Sequence, residues 1–409
     1  MNSLRVDSDR LWSALMEIGR IGETAAGGSR RLALTAEDGE ARHLLCRWAK
    51  EAGCSVTVDR LGNIFARREG SDPQAAPVMV GSHLDTVPTG GKFDGILGVI
   101  AGLEMIRRLN DQQVATRAPI ELVCWTNEEG ARFSPMTLGS SVFVGDIALD
   151  FALSRQDPSG VTVGEALERI GYAGSSPVGG RKVGTYLELH VEQGPLLKEG
   201  GEQIGVVTGS FKALYFVATV KGQAAHVGPT LMEQRSDAMV GAAALTLEID
   251  RIGRSRGRDG RSNAPHIEIY PNVRGVIPAE VRLSCDVRHR DPEEAVQMEA
   301  ELRAACRKVE QERGVTITLE QYFEFGPVEM DARMTGLVRE TADQLGLTHR
   351  DILTVASHDA VPMMRLCPTA LIFVPSETGI SHNETEYSTP AQCAAGADVL
   401  LNMALRLAS

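Results

Sequence analysis

Five side chains that can bind a divalent metal ion are spread along the chain, each beside a short apolar run that is typical of a strand. They are His83, Asp94, Glu129, His190 and His382. Glu128 precedes Glu129, so the set offers ligands for two divalent metals and still leaves one carboxylate free as a general base. This pattern indicates metal-assisted hydrolysis.

His83 and Asp94 also have ordinary structural interpretations. His83 follows the apolar run Val78–Gly81 at the point where a strand would end, and sites in open α/β sheets collect outside the carboxyl ends of strands. Asp85 is placed to accept a hydrogen bond from the second imidazole nitrogen and so to orient the ring. Asp94 directly precedes Gly95 and a helix, where Asp commonly serves as an N-cap. A surface histidine and a helix cap therefore stay open as alternatives to two ligands.

The other three positions have alternatives of the same kind. Glu128 and Glu129 follow a strand and fit a solvated turn, but in a metal site one could ligate while the other takes a proton from water. His190 lies on the polar face of the alternating run Tyr186–Glu192, which suits a ligand or a structural histidine. His382 lies in a polar loop after an apolar strand. Five such residues at predicted strand ends favour one common metal centre.

Helices and strands alternate in the first half of the chain, which predicts an α/β layer architecture. Thr35 begins a capping-box-like signal before a helix that ends near Gly53. Val78–Val80 and Glu121–Trp125 are typical of buried strands, with a helix over Gly95–Leu109 between them. These elements would bring the metal-binding side chains to one edge of a sheet.

Near residue 205 the pattern changes. A β-rich stretch covers Phe211–Val220, helices follow from Ser236 to about Ile252 and over Pro292–Gly314, and strands separate and follow them. The order strand–helix–strand–strand–helix–strand predicts a ferredoxin-like α+β domain inserted in a discontinuous larger domain. The predicted boundaries are residues 1–210 with 327–409 for the larger domain and 211–326 for the insertion.

Composition narrows the range of partners. The formal net charge of −12 disfavours nucleic acid and anionic membranes. The first residues are polar, and no apolar run approaches the roughly 20 residues that span a bilayer. Seven cysteines without a Cys-x-x-Cys pair are typical of reduced thiols. We therefore expect a cytoplasmic protein with neither a nucleic-acid nor a membrane partner.

Several long segments resemble one family. They are GSHLDTVPTGGKFDGILGVIAGLE, WTNEEGARF, ELHVEQGP, GQAAHVGPTLMEQRSDA and SETGISHNETEY. In this order they are similar to motifs of the M20-type dinuclear metallohydrolases, in the branch of N-carbamoyl-L-amino-acid hydrolases, β-ureidopropionases and allantoate amidohydrolases. The resemblance runs from about Thr35 to Tyr387. It implies a mixed-sheet, metallopeptidase-like catalytic domain with an inserted lid and dimerisation domain.

The resemblance also implies two divalent ions per subunit and a role for each residue of the opening set. Asp94 would bridge the ions. The ligands that complete the two shells would be His83 with His190 and Glu129 with His382. Glu128 would be the general base, and Asp85 would orient the His83 ring. Zn²⁺ and Mn²⁺ are the expected ions, and Co²⁺ or Ni²⁺ also suits histidine and carboxylate ligands without thiolates.

Four further residues match substrate-facing positions of the family: Gln193, His226, Asn272 and Arg288. Gln193 would hold the substrate amide, and Arg288 would bind its carboxylate because a planar guanidinium offers two parallel hydrogen bonds. His226 would donate a hydrogen bond to the developing oxyanion, in its own subunit or in a neighbour's, and the resemblance implies a homodimer through the inserted domain. The alternatives are a loop histidine for His226 and a strand-surface ion pair for Arg288.

Three motifs depart from the family pattern. Gly275 stands where relatives often carry a second asparagine, the lid motif reads Gly228-Pro-Thr-Leu-Met232, and Ser357 replaces a more usual glycine before His358. These changes leave the metal-binding residues intact and concern substrate choice.

The expected reaction is hydrolysis of a linear amide-like carbon–nitrogen bond in a small ureido or amide substrate that carries a carboxylate. N-carbamoyl-L-amino acids are the first choice, with β-ureidopropionate and allantoate as related substrates. An aminopeptidase, dipeptidase or aminoacylase could use the same centre. A metal-stabilised binding protein is a third hypothesis, but such a protein has no need of Glu128 as a base.

Overall fold

A computed structural model describes residues 3–409 of the chain, which fold into two compact units. The first two residues, at which the predicted larger domain begins, lie outside the described range. The larger unit comprises the chain up to Thr208 with Met330–Ile352 and Ser357–Ser409; the smaller comprises Gly209–Glu329 and Leu353–Ala356. The sequence places Leu353–Ala356 in the larger domain, but in the structure Phe211 donates a backbone hydrogen bond to Thr354 at 2.9 Å, within the smaller unit.

The helices are α1 (Ser8–Gly19), α2 (Ala36–Glu51), α3 (Ile96–Asp111), α4 (Leu138–Val144), α5 (Leu149–Leu153), α6 (Val163–Ile170), α7 (Leu196–Gly200), α8 (Ala238–Arg254), α9 (Pro292–Arg313), α10 (Ala332–Gln344), α11 (Ala360–Met363) and α12 (Pro390–Ala408). The strands are β1 (Ser55–Val58), β2 (Ile64–Arg68), β3 (Val78–His83), β4 (Ile120–Trp125), β5 (Thr185–Val191), β6 (Ile204–Ser210), β7 (Lys212–Lys221), β8 (Ala225–His226), β9 (Gly260–Tyr270), β10 (Val276–Ile277), β11 (Glu280–His289), β12 (Thr316–Phe325), β13 (His349–Thr354) and β14 (Thr369–Val374).

An eight-stranded sheet with the order β1-β2-β4-β3-β5-β14-β6-β13 forms the centre of the larger unit. The pairs β3/β4, β3/β5 and β5/β14 are parallel, whereas β1/β2, β2/β4 and β14/β6 are antiparallel. The predicted mixed-sheet α/β class is therefore confirmed. Its central parallel strands all end at one edge of the sheet, which is where ligands bind in such folds.

Both faces of this sheet are covered by apolar cores. Successive side chains along each strand point to opposite faces, so each strand contributes apolar residues to both cores. On one face Val80 and Leu122 belong to a core that also includes buried residues of α3 and α12. On the other face Met79 and Trp125 pack with residues of α4 and α11. Burial on both sides explains why these strands read as continuous apolar runs, and it fixes the strand ends rigidly.

The smaller unit is an antiparallel sheet with the order β12-β7-β11-β9, and α8 and α9 supply the helical partners of its core. Along the chain the order β7–α8–β9–β11–α9–β12 is the predicted ferredoxin-like pattern, which is confirmed. A short hairpin of β8 and β10 pairs His226 with Val276. This hairpin carries one of the predicted substrate-facing residues.

In the part of the chain that the structure describes, no helix is long and apolar enough to cross a membrane. All seven cysteines are free, and six of them are buried.

Candidate active site

The parallel strands of the larger unit place the predicted metal-binding residues next to one another. His83 is the last residue of β3, and His190 is the penultimate residue of β5. Glu128 and Glu129 follow the end of β4, which runs parallel to β3. Since these strands point the same way, their carboxyl ends deliver all four side chains to the same edge of the sheet.

Asp94 lies at the centre of the group. Its Oδ1 is 3.0 Å from Nε2 of His190 and 3.7 Å from Nε2 of His83, and its Oδ2 is 3.4 Å from Nε2 of His382. The N-cap of α3 is Gly95 rather than Asp94, and no side chain caps that helix end. The helix-cap alternative for Asp94 therefore does not apply, and its carboxylate faces three histidines.

Gly95 is what allows this close arrangement. Its φ of +69° lies in the left-handed region, and a Cβ at this position would lie 2.3–2.5 Å from three atoms of the His83 ring. Only glycine combines that conformation with the absence of a side chain. The turn from Asp94 into α3 can therefore pass directly beside the imidazole.

His382 and Glu129 form the other side of the group. Nε2 of His382 lies 3.3 Å from Oε2 of Glu129 and 3.4 Å from Oδ2 of Asp94. The backbone of His382 has a φ of +53°, and its side chain is 51% exposed, whereas the Glu129 side chain is 5% exposed. His382 is thus the one residue of the set that reaches the centre from a solvent-facing loop.

The possible metal ligands fall into two groups that share Asp94, and each group could hold a divalent cation. His83, Asp94 and His190 form one group of ligand atoms within 4.8 Å of one another, and Asp94, Glu129 and His382 form a second. Nε2 of His83 and Oε1 of Glu129 are buried without a hydrogen-bond partner, and such atoms are costly unless a ligand satisfies them. A third group, Glu188 with His190 and His358, reuses His190, and the Nδ1–H of that ring donates to the Val191 carbonyl at 2.9 Å. Because Nδ1 carries the proton that is donated to Val191, Nε2 is the His190 nitrogen left for a metal, and it already belongs to the first group.

Asp85 acts differently from the prediction. The His83 Nδ1–H donates to the backbone carbonyl of Asp85 at 2.9 Å, and the nearest carboxylate oxygen is 4.0 Å from Nδ1. The Asp85 carboxylate instead accepts the backbone N–H groups of Glu128 and Glu129, each at 3.2 Å. The predicted bond from the imidazole to the Asp85 side chain is therefore wrong. Asp85 orients His83 through its main chain and fixes the Glu128-Glu129 turn through its side chain.

Glu128 is buried but stands outside both groups of ligand atoms. Its Oε2 is 3.4 Å from Nε2 of His83. Burial raises the pKa of Glu128 well above its usual range, and the nearby charges of Asp359 and Glu129 raise it further. A carboxylate with a raised pKa beside a metal-binding cluster is suited to accept and return a proton.

Burial also sets the charge of the neighbouring groups. It lowers the pKa of His83 to about 4, so the ring is neutral at neutral pH and its Nε2 lone pair is available to a metal. Burial and the charge of Asp38 raise the pKa of Asp85 to about 7. Carboxylates crowded in this way repel one another, and divalent cations would relieve that repulsion.

Two supporting residues, Glu188 and Glu386, lie outside the predicted set of site residues. The buried Glu188 accepts hydrogen bonds from the Ser82 hydroxyl at 2.8 Å and the Ala360 backbone N–H at 2.7 Å, and so ties the end of β3 to the start of α11. Glu386 accepts the backbone N–H of Asp94 at 3.1 Å. Glu188 lies two residues before His190 on the same strand face, which was the available signal. Glu386 is 292 residues from Asp94 along the chain, and nothing in the sequence indicated that the two would meet.

Gln193 lies in the same cluster. Its side-chain Nε2 donates to Oδ2 of Asp94 at 2.8 Å, and its Oε1 is buried without a hydrogen-bond partner. The backbone of Gln193 has a φ of +60°. The side chain that was expected to hold the substrate amide is thus in contact with the shared carboxylate, and it retains one unsatisfied acceptor.

The other three predicted substrate contacts belong to the smaller unit. His226 and Asn272 are exposed, and Arg288 is partly buried on β11. The backbone N–H of Gly228 donates to Nδ1 of His226 at 3.1 Å, so the neutral ring carries its proton on Nε2. A donor at Nε2 is what the oxyanion role requires. Arg288 is paired with Asp286 at 2.7 Å, as the structural alternative for this residue anticipated.

Comparison with known proteins supplies the family. The model of Peptidase family M20/M25/M40 matches residues 79–406. The chain belongs to this family. An N-carbamoyl-L-amino-acid amidohydrolase of Rhizobium meliloti is 42% identical over 404 residues, which cover 99% of this chain and 97% of that protein. An allantoate amidohydrolase of Bacillus subtilis is 30% identical, with 96% and 95% covered.

A solved structure shows the same similarity. A crystal structure of an amidase of the hydantoinase/carbamoylase family from Burkholderia vietnamiensis superposes with a TM-score of 0.96, at 47% sequence identity, over 100% of this chain and 99% of that chain. This protein is accordingly a metal-dependent amidohydrolase that acts on linear carbon–nitrogen bonds other than peptide bonds. The predicted enzyme class and family branch are confirmed.

Proposed function

We propose that the protein hydrolyses the ureido group of N-carbamoyl-L-amino acids, or of a closely related ureido acid such as β-ureidopropionate or allantoate. The observation that carries this proposal is the pair of ligand groups that share Asp94, with Glu128 beside them but in neither. The amidohydrolase names of full-length relatives support the ureido substrate over the aminopeptidase, dipeptidase and aminoacylase alternatives.

The metal part of the proposal is two divalent ions per subunit, Zn²⁺ or Mn²⁺, with Co²⁺ or Ni²⁺ as further options. The shared ligand would be Asp94. The flanking ligands would be His83 with His190 and Glu129 with His382. Such ions polarise a carbonyl group and lower the pKa of water. The buried, unpartnered atoms of His83 and Glu129 support these assignments.

The protein's own groups then move the protons. Glu128 takes a proton from the attacking water as the oxygen adds to the ureido carbonyl carbon. It then returns that proton to the leaving nitrogen as the bond between this nitrogen and the ureido carbon breaks. Asp85 keeps the Glu128 backbone in place through the hydrogen bond to its N–H. With an N-carbamoyl amino acid, this cleavage leaves a carbamic acid as one product, which then loses carbon dioxide, so that the final products are an amino acid, ammonia and carbon dioxide.

Substrate recognition is assigned to four residues. His226 donates a hydrogen bond from Nε2 to the developing oxyanion, and Gln193 and Asn272 contact the amide part of the substrate. Arg288 binds the substrate carboxylate. The tautomer of His226 and the unsatisfied Oε1 of Gln193 support the first two roles.

A homodimer through the smaller unit completes the proposal. Strand β9 is an edge strand, and Ile267 on it is 46% exposed. On α8, Val240 and Leu247 are 45% and 72% exposed. Apolar side chains on an edge strand and an adjacent helix favour association with a second copy. Free thiols throughout the chain support a reducing, cytoplasmic location.

The deciding experiment is a substrate panel. The metal-free protein is reloaded with Mn²⁺ or Zn²⁺ and assayed for ammonia release from N-carbamoyl-α-amino acids, β-ureidopropionate and allantoate, and for amine release from dipeptides and N-acyl amino acids. We expect turnover of ureido acids. Turnover of dipeptides or N-acyl amino acids alone would contradict the proposal, and metal binding without any turnover would favour a binding protein.

A further inference from the structure

Arg288 is held by three neighbours inside the smaller unit. Its Nε–H donates to Oδ1 of Asp286 at 2.7 Å, and its Nη1–H donates to the backbone carbonyl of Val355 at 3.0 Å. The guanidinium carbon lies 5.2 Å from the ring centroid of Tyr215. The side chains of Asp286 and Arg288 are 7% and 24% exposed. The group is therefore largely removed from water and fixed in both plane and direction.

The strand pairing explains why these residues meet. Asp286 and Arg288 are two positions apart on β11, so their side chains leave the same face of the sheet. Asp286 pairs directly with Tyr215 on the neighbouring strand β7. Tyr215 is therefore diagonal to Arg288, whose direct partner is Ala213, and a diagonal neighbour on the same face is within reach of a long side chain such as that of Arg288.

Counting donors shows what remains for a ligand. A guanidinium has five N–H groups: one on Nε and two on each of Nη1 and Nη2. Asp286 uses the Nε–H and Val355 uses one Nη1–H. Among residues 3–409, Nη2 of Arg288 has no hydrogen-bond partner within the protein. The side-on edge formed by Nε and Nη2 is half occupied, whereas Nη1 keeps one N–H and Nη2 keeps both, which is enough for one donor from each on the end-on edge.

We propose that Asp286 is a positioning residue that turns Arg288 so that only its end-on Nη1/Nη2 edge can bind the substrate carboxylate. This inference rests on the proposed function, since it concerns the group that Arg288 binds. An arginine without these three contacts would lose side-chain entropy when it binds a ligand. Because Arg288 is already fixed before binding, this cost is lower, and the pre-organised donor pair binds more tightly.

The pairing also changes the kind of recognition. Asp286 offsets the positive charge of Arg288, so a ligand gains little from net charge and much from two directional hydrogen bonds. The site thus selects for a planar carboxylate and against a primary amide, which places an N–H group opposite one of the two donors.

The test compares three variants of β11. Asp286→Ala removes the acceptor for Nε, Asp286→Asn keeps an oxygen acceptor without the charge, and Ser284→Ala is the control two positions away on the same face. Each is assayed, with metal, for turnover of N-carbamoyl-L-alanine and of N-carbamoyl-L-alaninamide, which lacks the carboxylate. Thermal unfolding shows whether each variant folds.

We expect Asp286→Ala to raise KM for N-carbamoyl-L-alanine about tenfold with kcat changed less than about twofold, as the loss of a directed contact to a charged group would do. Turnover of the alaninamide should not change, and Asp286→Asn should restore most of the affinity. In an Arg288→Ala background, Asp286→Ala should have no further effect on KM. A KM that is unchanged or lowered in Asp286→Ala overturns the positioning role, since a lowered value means that Asp286 competes with the substrate.

Calorimetry separates this inference from the proposed function. Binding of N-carbamoyl-L-alanine needs no turnover, so the wild-type protein and Asp286→Ala are titrated as well. Equal dissociation constants overturn the positioning role even if the enzyme is active. A wild-type protein that binds the ligand tenfold better than Asp286→Ala but does not hydrolyse it contradicts the proposed function and leaves the positioning role supported.

Discussion

The cluster around Asp94 in the larger unit and the substrate-facing residues of the smaller unit are built in opposite ways. His83, Asp94 and His190 are almost fully buried, and rigid strand ends of a sheet covered on both faces hold the two histidines. His226 and Asn272 are exposed, the first on a two-residue strand and the second in the loop between β9 and β10. Burial makes each ligand depend on its neighbours, whereas an exposed turn can change one residue at a time.

This difference accounts for two of the three departures from the family pattern, the lid motif and Gly275, which lie in the smaller unit, whereas Ser357 lies in the larger one. A substitution near Asp94 would leave a buried carboxylate or imidazole without a partner, which is strongly destabilising. At Gly275 no atom lies within 4 Å of a Cβ built on the backbone, so the residue there is under little packing constraint. The metal-binding residues are thus constrained by their buried neighbours, whereas the residue at position 275 can vary with little effect on packing.

The strongest test of the comparison is the change Glu128→Gln. It keeps the shape of a buried side chain but removes its ability to accept a proton, so kcat should fall about 10²–10⁴-fold. Metal content, measured by mass spectrometry of the purified protein, should stay at the wild-type value because Glu128 is in neither ligand group. Glu129→Gln is the matched control and should lose metal. Normal turnover in Glu128→Gln would rule out its role as the base.

His226→Ala tests whether the smaller unit contributes to the chemistry itself. Loss of an oxyanion donor should lower kcat about 10²–10³-fold. The residue is exposed, so the melting temperature and metal content should not change. His266→Ala removes another exposed histidine of the same unit and should leave kcat unaffected. Equal rates for the two variants would restrict the chemistry to the larger unit.

Metal removal should affect hydrogen exchange in the larger unit and leave it unchanged in the smaller one. Ions that bind only the folded state stabilise it by about 2.7 kcal/mol when present at 100 times their dissociation constant. After chelation we expect faster hydrogen exchange at the ends of β3 and β5 and in the loop around His382. Exchange in β7 and β11, which belong to the smaller unit, should be unchanged. Equal losses of protection in both units would show that the metal centre stabilises the whole chain.

The smallest effect is expected for Gly275→Asn, which restores the residue that relatives often carry. Its φ of +87° is one that asparagine tolerates, and the surrounding space is open. A new hydrogen bond to the substrate is worth about 1 kcal/mol, so the ratio of kcat/KM for allantoate and N-carbamoyl-L-amino acids should shift up to about tenfold. Gly257→Asn, at another open position with a φ of +58°, is the control and should leave the ratio unchanged.

Much of the architecture could be predicted because it depends on the alternation of strand-like and helix-like segments and on their order along the chain. The apolar run Val78–Val80 and the mainly apolar segment Glu121–Trp125 correspond to β3 and β4, which are buried on both faces. The strand and helix order of the insertion was enough to predict a ferredoxin-like unit. The short helices α4 and α5 carried no comparable pattern, since neither is long enough to show a helical period.

At the site, residue types could be predicted but individual contacts could not. The wrong assignment at Asp85 shows why: its backbone carbonyl and its carboxylate both lie close to the cluster, and the turn after β3 decides which one meets the His83 ring. Asp94 faces the histidines because Gly95 takes a left-handed conformation and the helix cap shifts by one residue. Such choices depend on backbone angles that neither residue type nor spacing encodes.

The pairing of β5 with β14 has a consequence for how the chain is made. Tyr186 pairs with Thr369, and His382 follows β14, so the strands beside the metal cluster cannot be completed until most of the chain has been synthesised. The ferredoxin-like unit is nearly continuous in sequence and can form first. The nascent chain can therefore pass through a stage in which this unit is folded while β5 has β3 beside it but still lacks β14. We expect refolding of the larger unit to be slow, because its pairings are distant in sequence, and divalent ions to be captured only in its final step.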